Sequence, residues 1–147
     1  MYLGIDPGKS KTGWAIVDEE GRLYSSGIIR GSNPEFFADI ILFHSWEYLE
    51  KGRLEGYSLK NEEITIEKVI LGSGTTSRSL REELDKKGIP FTEVDERDTT
   101  LQSKKEYWKI KKPGILRCTF PFLKQFLPRD TDDIAALLIV RRFLRSD

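Results

Sequence analysis

The sequence predicts one α/β domain on a mixed five-stranded sheet, with an antiparallel three-strand meander and flanking helices. Three observations carry this prediction. The chain has 147 residues, the usual size of one domain, with neither an internal repeat nor a linker. Three short apolar segments joined by tight turns open it, as in a meander. A strand–helix–strand pattern follows, which is typical of a parallel crossover. We therefore expect residues 1–147 to form a single domain.

The predicted elements follow from apolar patterning and turn residues. Five short apolar segments that end in turns are the predicted strands, at residues 2–6, 13–18, 23–29, 69–72 and 91–95. Four helices are expected at about residues 34–49, 77–87, 99–109 and 132–144. The last helix is apolar almost all round, so we expect it to be buried against the sheet. The polar segment 52–68 is expected to be a loop or an edge element.

Composition excludes several classes of protein. Hydrophobic residues make up 38% and charged residues 33%, and no segment has the ~18 consecutive apolar residues that span a membrane. The N-terminal stretch lacks the basic-then-apolar pattern of a signal peptide. A single cysteine, Cys118, excludes an internal disulfide, and no Cys/His cluster could hold zinc. We expect a cytoplasmic protein that does not enter membranes.

The charge is balanced, with 24 Lys plus Arg against 24 Asp plus Glu. Domains that bind nucleic acid are more often basic, because neutralising phosphates supplies much of the affinity. Any such binding here must therefore come from a local concentration of positive charge.

The first motif that carries chemistry is GIDPGKSKTG at residues 4–13. Asp6 leaves the carboxyl end of a buried strand, where α/β sheets commonly bind ligands. The glycines let the backbone approach a metal or phosphate closely, and Lys9 and Lys11 are well placed to contact phosphate. The alternative is that Asp6 is an ordinary turn residue before Pro7.

The second motif is VDERDTT at residues 94–100. Asp95 and Glu96 are carboxylates close enough to repel each other, so a cation or a bound proton must compensate. Arg97 can be that cation, or it can hold a phosphate with two hydrogen bonds. The alternative is a solvated loop in which Asp98 caps the next helix.

The third motif, RDTDD at residues 129–133, precedes the last helix. Capping and helix polarity favour acids here, but three carboxylates exceed what one cap needs. Small residues just inside the helix, Ala135 and Ala136, would bring Asp132 and Asp133 close to the strand ends.

A basic and aromatic segment offers a further contact with substrate. Lys104, Lys105 and Trp108 combine positive charge with a ring on which a base can stack. The alternative is a solvated helix face followed by a charged loop.

Taken in order, these motifs resemble those of RNase H-like nucleases. The start, GIDPG…TG, is similar to Holliday-junction resolvases of the RuvC type. The string VDERDTT is similar to the Asp-Glu-Arg-x-Thr-Thr signature of the YqgF family, predicted resolvases implicated in processing ribosomal RNA precursors. Asp132, followed by Ala-Ala and an aliphatic run, also matches the YqgF pattern.

The resemblance implies a fold, an activity and a set of metal ligands. It implies an RNase H-like endonuclease that uses Mg²⁺ or Mn²⁺ to cut branched DNA or structured RNA, and that works as a homodimer. The implied ligands are Asp6, Glu96 and Asp132, with Asp133 able to replace Asp132. Shared ligation requires these carboxylates to converge within about 5 to 8 Å.

The sequence also departs from the family pattern. The middle strand ends in LGSG at residues 71–74, where YqgF proteins usually carry Gly-x-Pro and RuvC-type resolvases place their second acid. A second acid should therefore come from Asp95 or Glu96. The alternative function is a non-catalytic RNase H-like module that binds nucleic acid or protein. An actin-like nucleotide-binding protein would need two such lobes, and this chain supplies one.

Overall fold

The computed structural model describes residues 1–31, 33–60, 62–95 and 130–146. Its strands are β1 (Tyr2–Pro7), β2 (Lys11–Val17), β3 (Leu23–Arg30), β4 (Arg53–Gly56), β5 (Lys68–Gly72) and β6 (Phe91–Val94). The α-helices of these residues are α1 (Pro34–Leu42), α2 (Arg78–Lys86) and α3 (Asp132–Ser146), and a 3₁₀ helix covers Trp46–Gly52. Within the same ranges, no helix is both long and apolar enough to cross a bilayer.

The six described strands form one mixed sheet in the order β4-β3-β2-β1-β5-β6. β1, β2 and β3 are an antiparallel meander, whereas β5 and β6 run parallel to β1 on its other side. This is the RNase H-like α/β fold that the sequence predicts, with six strands where five were expected. The added strand, β4, is a four-residue edge strand within the segment expected to be a loop or an edge element.

The first predicted helix is shorter than expected. It begins as predicted, with Pro34 in the first turn and the Asn33 side chain accepting a hydrogen bond from the backbone N–H of Phe36 at 2.6 Å. It ends at Leu42, because His44 adopts a φ of 54°, in the left-handed region that a helix cannot continue through. Phe43 follows as the C-cap residue, and Trp46, Tyr48 and Leu49 lie in the 3₁₀ helix. The predicted helix at 99–109 lies outside the described residues.

The sheet is covered on both faces, and alternation along each strand assigns side chains to one face or the other. Leu3 and Ile5 of β1 belong to the core under α1 and α2. The opposite core, under α3, contains Ala15, Ile70 and Val140 among others. As predicted, α3 is buried, and eight of its residues between Asp133 and Phe143 belong to the interior.

Gly4 marks how closely α3 packs onto the sheet. A Cβ at this position would lie 2.4 Å from the carbonyl oxygen of Ala136 and 2.6 Å from Cγ2 of Val140. Both atoms belong to α3, and the carbonyl cannot move without displacing the helix. Residue 4 must therefore lack a side chain if the helix is to stay in place.

We expect Gly4→Ala to lower the free energy of unfolding by about 1–3 kcal/mol, because the added methyl overpacks the contact with α3. Urea unfolding measures the loss, and hydrogen exchange should show faster exchange along α3. Gly31→Ala is the control, since no atom outside its immediate neighbours lies within 4 Å of a Cβ there. Gly31→Ala should lower the free energy of unfolding only through strain in its left-handed backbone, and hydrogen exchange along α3 should remain as in wild type. Wild-type stability and exchange in Gly4→Ala would contradict this packing.

Candidate active site

Asp6 lies half-buried near the carboxyl end of β1, on the face that α3 covers. Its partner across the β1–β2 pair is Gly13. Residues directly opposite in an antiparallel pair point to the same face. At Gly13 that face is the α3 face, because a Cβ there would collide with Asp132. The Asp6 side chain therefore points to the same side of the sheet as the start of α3.

Asp132, the first residue of α3, lies directly over Gly13. A Cβ on Gly13 would be 2.2 Å from both the carbonyl carbon and the carbonyl oxygen of Asp132, and 2.8 Å from its Cβ. Cα atoms of opposed residues in an antiparallel pair are about 4.5–5.5 Å apart. Asp6 and Asp132 are therefore both next to Gly13, Asp6 beside it in the sheet and the backbone of Asp132 above it.

Lys11 pairs with the acids at the start of α3. Its Nζ lies 2.7 Å from Oδ2 of Asp132 and 3.3 Å from Oδ1 of Asp130. Burial alone would lower the pKa of the Lys11 ammonium, but its hydrogen bonds and ion pairs with Asp132 and Asp130 outweigh burial and raise that pKa above its usual value. The sequence predicts that Lys11 contacts phosphate, and the structure shows it in ion pairs with these two carboxylates.

The sequence analysis does not predict Arg30 as a site residue, and it includes Asp130 in the RDTDD motif without giving it a role. Arg30 is the register partner of Lys11, so two cations stand opposite each other on β3 and β2. Such a like-charge pair is unfavourable unless an anion compensates. Asp130 is that anion, because it forms ion pairs with both cations. Hydrogen bonds from Arg30 and then Lys11 hold the pKa of the Asp130 carboxyl below its usual range. The need for an anion beside Lys11 and Arg30 becomes evident only from the strand register.

Asp133 points away from Asp6. It is fully buried, and its Oδ2 accepts a hydrogen bond from Oγ of Ser26 at 2.9 Å. Ser26 is on β3, two strands from Asp6. Consecutive helix residues differ in direction by about 100°, so the Asp132 and Asp133 side chains leave the helix in different directions. Asp132, with 22% of its side chain exposed, remains accessible from solvent.

The other predicted site residues are described only in part. Lys9 is exposed in the β1–β2 hairpin and lines a cavity of about 300 Å³ with Thr76 and Ser79. Asp95 follows β6 and is exposed, and its carbonyl oxygen accepts a hydrogen bond from Arg142 of α3. Because β1, β5 and β6 are parallel, their carboxyl ends lie at one edge of the sheet. Outside the described residues lie Glu96, Arg97, Lys104, Lys105 and Trp108.

The donors at this edge suit a hard divalent cation. Asp6 and Asp132 offer carboxylate oxygens, and Mg²⁺ is usually held by one or two carboxylates together with water and substrate phosphate. Across residues 1–95 and 130–146, apart from the two gaps, no cluster of three or more potential ligands occurs. Of the predicted metal ligands, Asp6 and Asp132 are the two that lie near each other in the described part of the chain.

Comparisons with known proteins found similarity among solved structures only. No family model matches the sequence, and no curated protein matches it either. Among solved structures, the chain is similar to RuvC from Thermus thermophilus, with 15% sequence identity and a TM-score of 0.42. The similarity covers 94% of this chain and 88% of that chain. The assignment of the fold rests on the strand order and pairing given above.

We expect Ser26→Ala to destabilise the protein by about 1.5–3 kcal/mol, because it removes a buried hydrogen bond to the Asp133 carboxylate. Ser25→Ala is the matched control. Ser25 is equally buried, but its hydroxyl donates to the neutral carbonyl of Tyr57 at 2.9 Å, a bond worth about 0.5–1.5 kcal/mol. Urea unfolding compares the two variants. Equal losses, or a larger loss for Ser25→Ala, would contradict a structural role for Asp133.

Proposed function

We propose that this protein is a metal-dependent endonuclease that hydrolyses phosphodiester bonds in branched DNA or structured RNA. The observation that carries the proposal is the approach of Asp132 to Asp6 across Gly13. Two acidic residues near the carboxyl end of β1, in a sheet with RNase H-like strand order, support this proposal. The motif resemblance to YqgF and RuvC-type resolvases supports the same activity, together with a homodimer in the cytoplasm.

The proposed ligands are Asp6, Asp132 and Glu96. We favour Asp132 over Asp133, because the Asp133 carboxylate is buried and hydrogen-bonded to Ser26. For the acid that follows β6 we retain Glu96, the residue implied by the YqgF signature, with Asp95 as its alternative. Mg²⁺ or Mn²⁺ bound by these residues would supply activation of the attacking water and stabilisation of the leaving oxygen.

The remaining residues have roles in binding and positioning. Lys11 holds the Asp132 carboxylate through the 2.7 Å ion pair, which fixes the orientation of that side chain beside Asp6. Lys9, exposed in the same hairpin, is proposed to contact a substrate phosphate. The same role is proposed for Arg97, Lys104 and Lys105, with Trp108 stacking on a base.

One observation favours a second candidate function. Lys11 and Arg30 already compensate the negative charge of Asp130 and Asp132, so these acids do not need a metal to be stable. A non-catalytic RNase H-like module that binds nucleic acid or protein would have the same ion pairs. Cleavage assays separate the two functions.

We expect Asp6→Asn to reduce Mg²⁺- or Mn²⁺-dependent cleavage of four-way-junction DNA and structured RNA by about 100-fold or more. Even residues that only support metal ligands cost about 10- to 100-fold when removed. Asp18→Asn is the matched control, since Asp18 follows β2 at the end of the sheet opposite Asp6 and pairs with Arg22. It should cleave like wild type. Equal rates for wild type and Asp6→Asn would remove Asp6 from the chemistry, and no metal-dependent cleavage by wild type would favour the non-catalytic module.

We expect Lys11→Met to bind Mn²⁺ about two- to fivefold more tightly than wild type when no substrate is present. The Lys11 ammonium competes with the metal for Asp132, and a partly exposed ion pair is worth up to about 1 kcal/mol. Electron paramagnetic resonance of free Mn²⁺ measures this affinity. Lys9→Met, in the same hairpin, should bind Mn²⁺ like wild type. Weaker binding by Lys11→Met would show that the Lys11 ammonium and Mn²⁺ do not compete for Asp132.

A further inference from the structure

A groove of about 500 Å³ opens beside Asp130, where β3 runs past the short edge strand β4. β4 pairs with β3 only as far as Gly27, while β3 continues to Arg30. The groove lies along this last part of β3, between α1, the 3₁₀ helix and β4. Its volume is within the range of about 300–1,000 Å³ that is usual for sites holding small molecules.

Two aromatic side chains stand in the wall of this groove. Phe36 from α1 and Tyr48 from the 3₁₀ helix meet edge to face, with ring centroids 5.9 Å apart. They remain 40% and 46% exposed. Exposed aromatic faces held by two different elements offer a preformed surface on which a nucleobase can stack.

The charges around the groove favour an anionic occupant. Its lining carries three cations, Arg30, Lys51 and Arg53, against the single carboxylate of Asp130. Arg30 is 71% exposed although it pairs with Asp130, and Lys51 is exposed. Arg53 is fixed at the wall by an ion pair with Glu50 at 3.0 Å. Although the whole chain is neutral, cations outnumber carboxylates in the groove lining, which favours contact with a phosphate backbone.

We propose that this groove binds an unpaired nucleotide of a nucleic-acid substrate. The base stacks on Phe36 and Tyr48, and Arg30 and Lys51 contact the flanking phosphates. The groove is next to the proposed metal site, because Asp130 lines the groove and also pairs with Lys11, which in turn pairs with Asp132. A strand seated in the groove therefore lies next to the proposed metal ligands. This placement beside a cleavage site rests on the proposed function, whereas binding in the groove does not.

The proposal is tested by measuring oligonucleotide binding under conditions that prevent metal-dependent cleavage. Fluorescence anisotropy in EDTA compares a labelled single-stranded oligonucleotide with a blunt duplex of the same sequence. We expect wild type to prefer the single strand. Tyr48→Leu should weaken binding to it by about 5- to 150-fold, the range for one stacked base, and Tyr48→Trp should retain it. Lys51→Gln should lower the salt dependence of binding by about one counterion.

Matched controls come from exposed residues outside the groove. Tyr57 is an exposed aromatic at the end of β4, and Lys60 is an exposed lysine nearby. Tyr57→Leu and Lys60→Gln should bind the single strand like wild type. Circular dichroism and thermal unfolding establish that every variant is folded. Equal binding by Tyr48→Leu and Tyr57→Leu would overturn the proposal.

Three further outcomes separate this inference from its rivals. If Tyr48→Leu dissociates a dimer but binds the single strand normally, the groove is a contact between copies of the chain and the proposal is wrong. If Tyr48→Leu loses binding while Asp6→Asn cleaves like wild type, the groove is supported and the proposed nuclease site fails. The opposite pair of results would reject the groove and retain the nuclease site.

Discussion

The backbone of α3 contacts the centre of the sheet at two positions that cannot carry a side chain. Gly4 lies under the carbonyl of Ala136, and Gly13 lies under Asp132. These contacts set the height and the direction of α3 above β1 and β2. The core beneath the helix and the position of its first residue follow from them. Asp132 lies beside Asp6 because Gly13 lets the backbone come that close.

Charge at this edge of the sheet is arranged locally, within a chain whose formal net charge is zero. Lys11 and Arg30 stand opposite each other, and Asp130 pairs with both. Partly exposed ion pairs contribute little to stability, so the value of this cluster is in fixing side-chain positions. Within this cluster, Lys11 pairs with Asp132, and Asp130 also lines the cationic groove. A neutral protein can thereby present a positive surface beside an acidic site.

Much of this fold is predictable from sequence, because strand alternation and turn residues act locally. The meander, the crossover and the burial of α3 all follow from such patterns. The break at His44 is not predictable, since only the folded chain shows a non-glycine residue with φ of 54°. Asp132 and Asp133 are adjacent and chemically identical, so only the direction of α3 distinguishes them. The bridge at Asp130 depends on the pairing of Lys11 with Arg30, which no local pattern reveals.

The placement of Asp132 beside Asp6 by Gly13 is tested most directly with paramagnetic Mn²⁺. In ¹H–¹⁵N spectra of wild type, substoichiometric Mn²⁺ should first broaden the amide signals of Asp6, Gly13 and Asp132. In Gly13→Ala the added methyl would displace the start of α3, so this selective broadening should be lost while the chain remains folded. Broadening centred elsewhere in wild type, or the same pattern in folded Gly13→Ala, would contradict the structure proposed for this site.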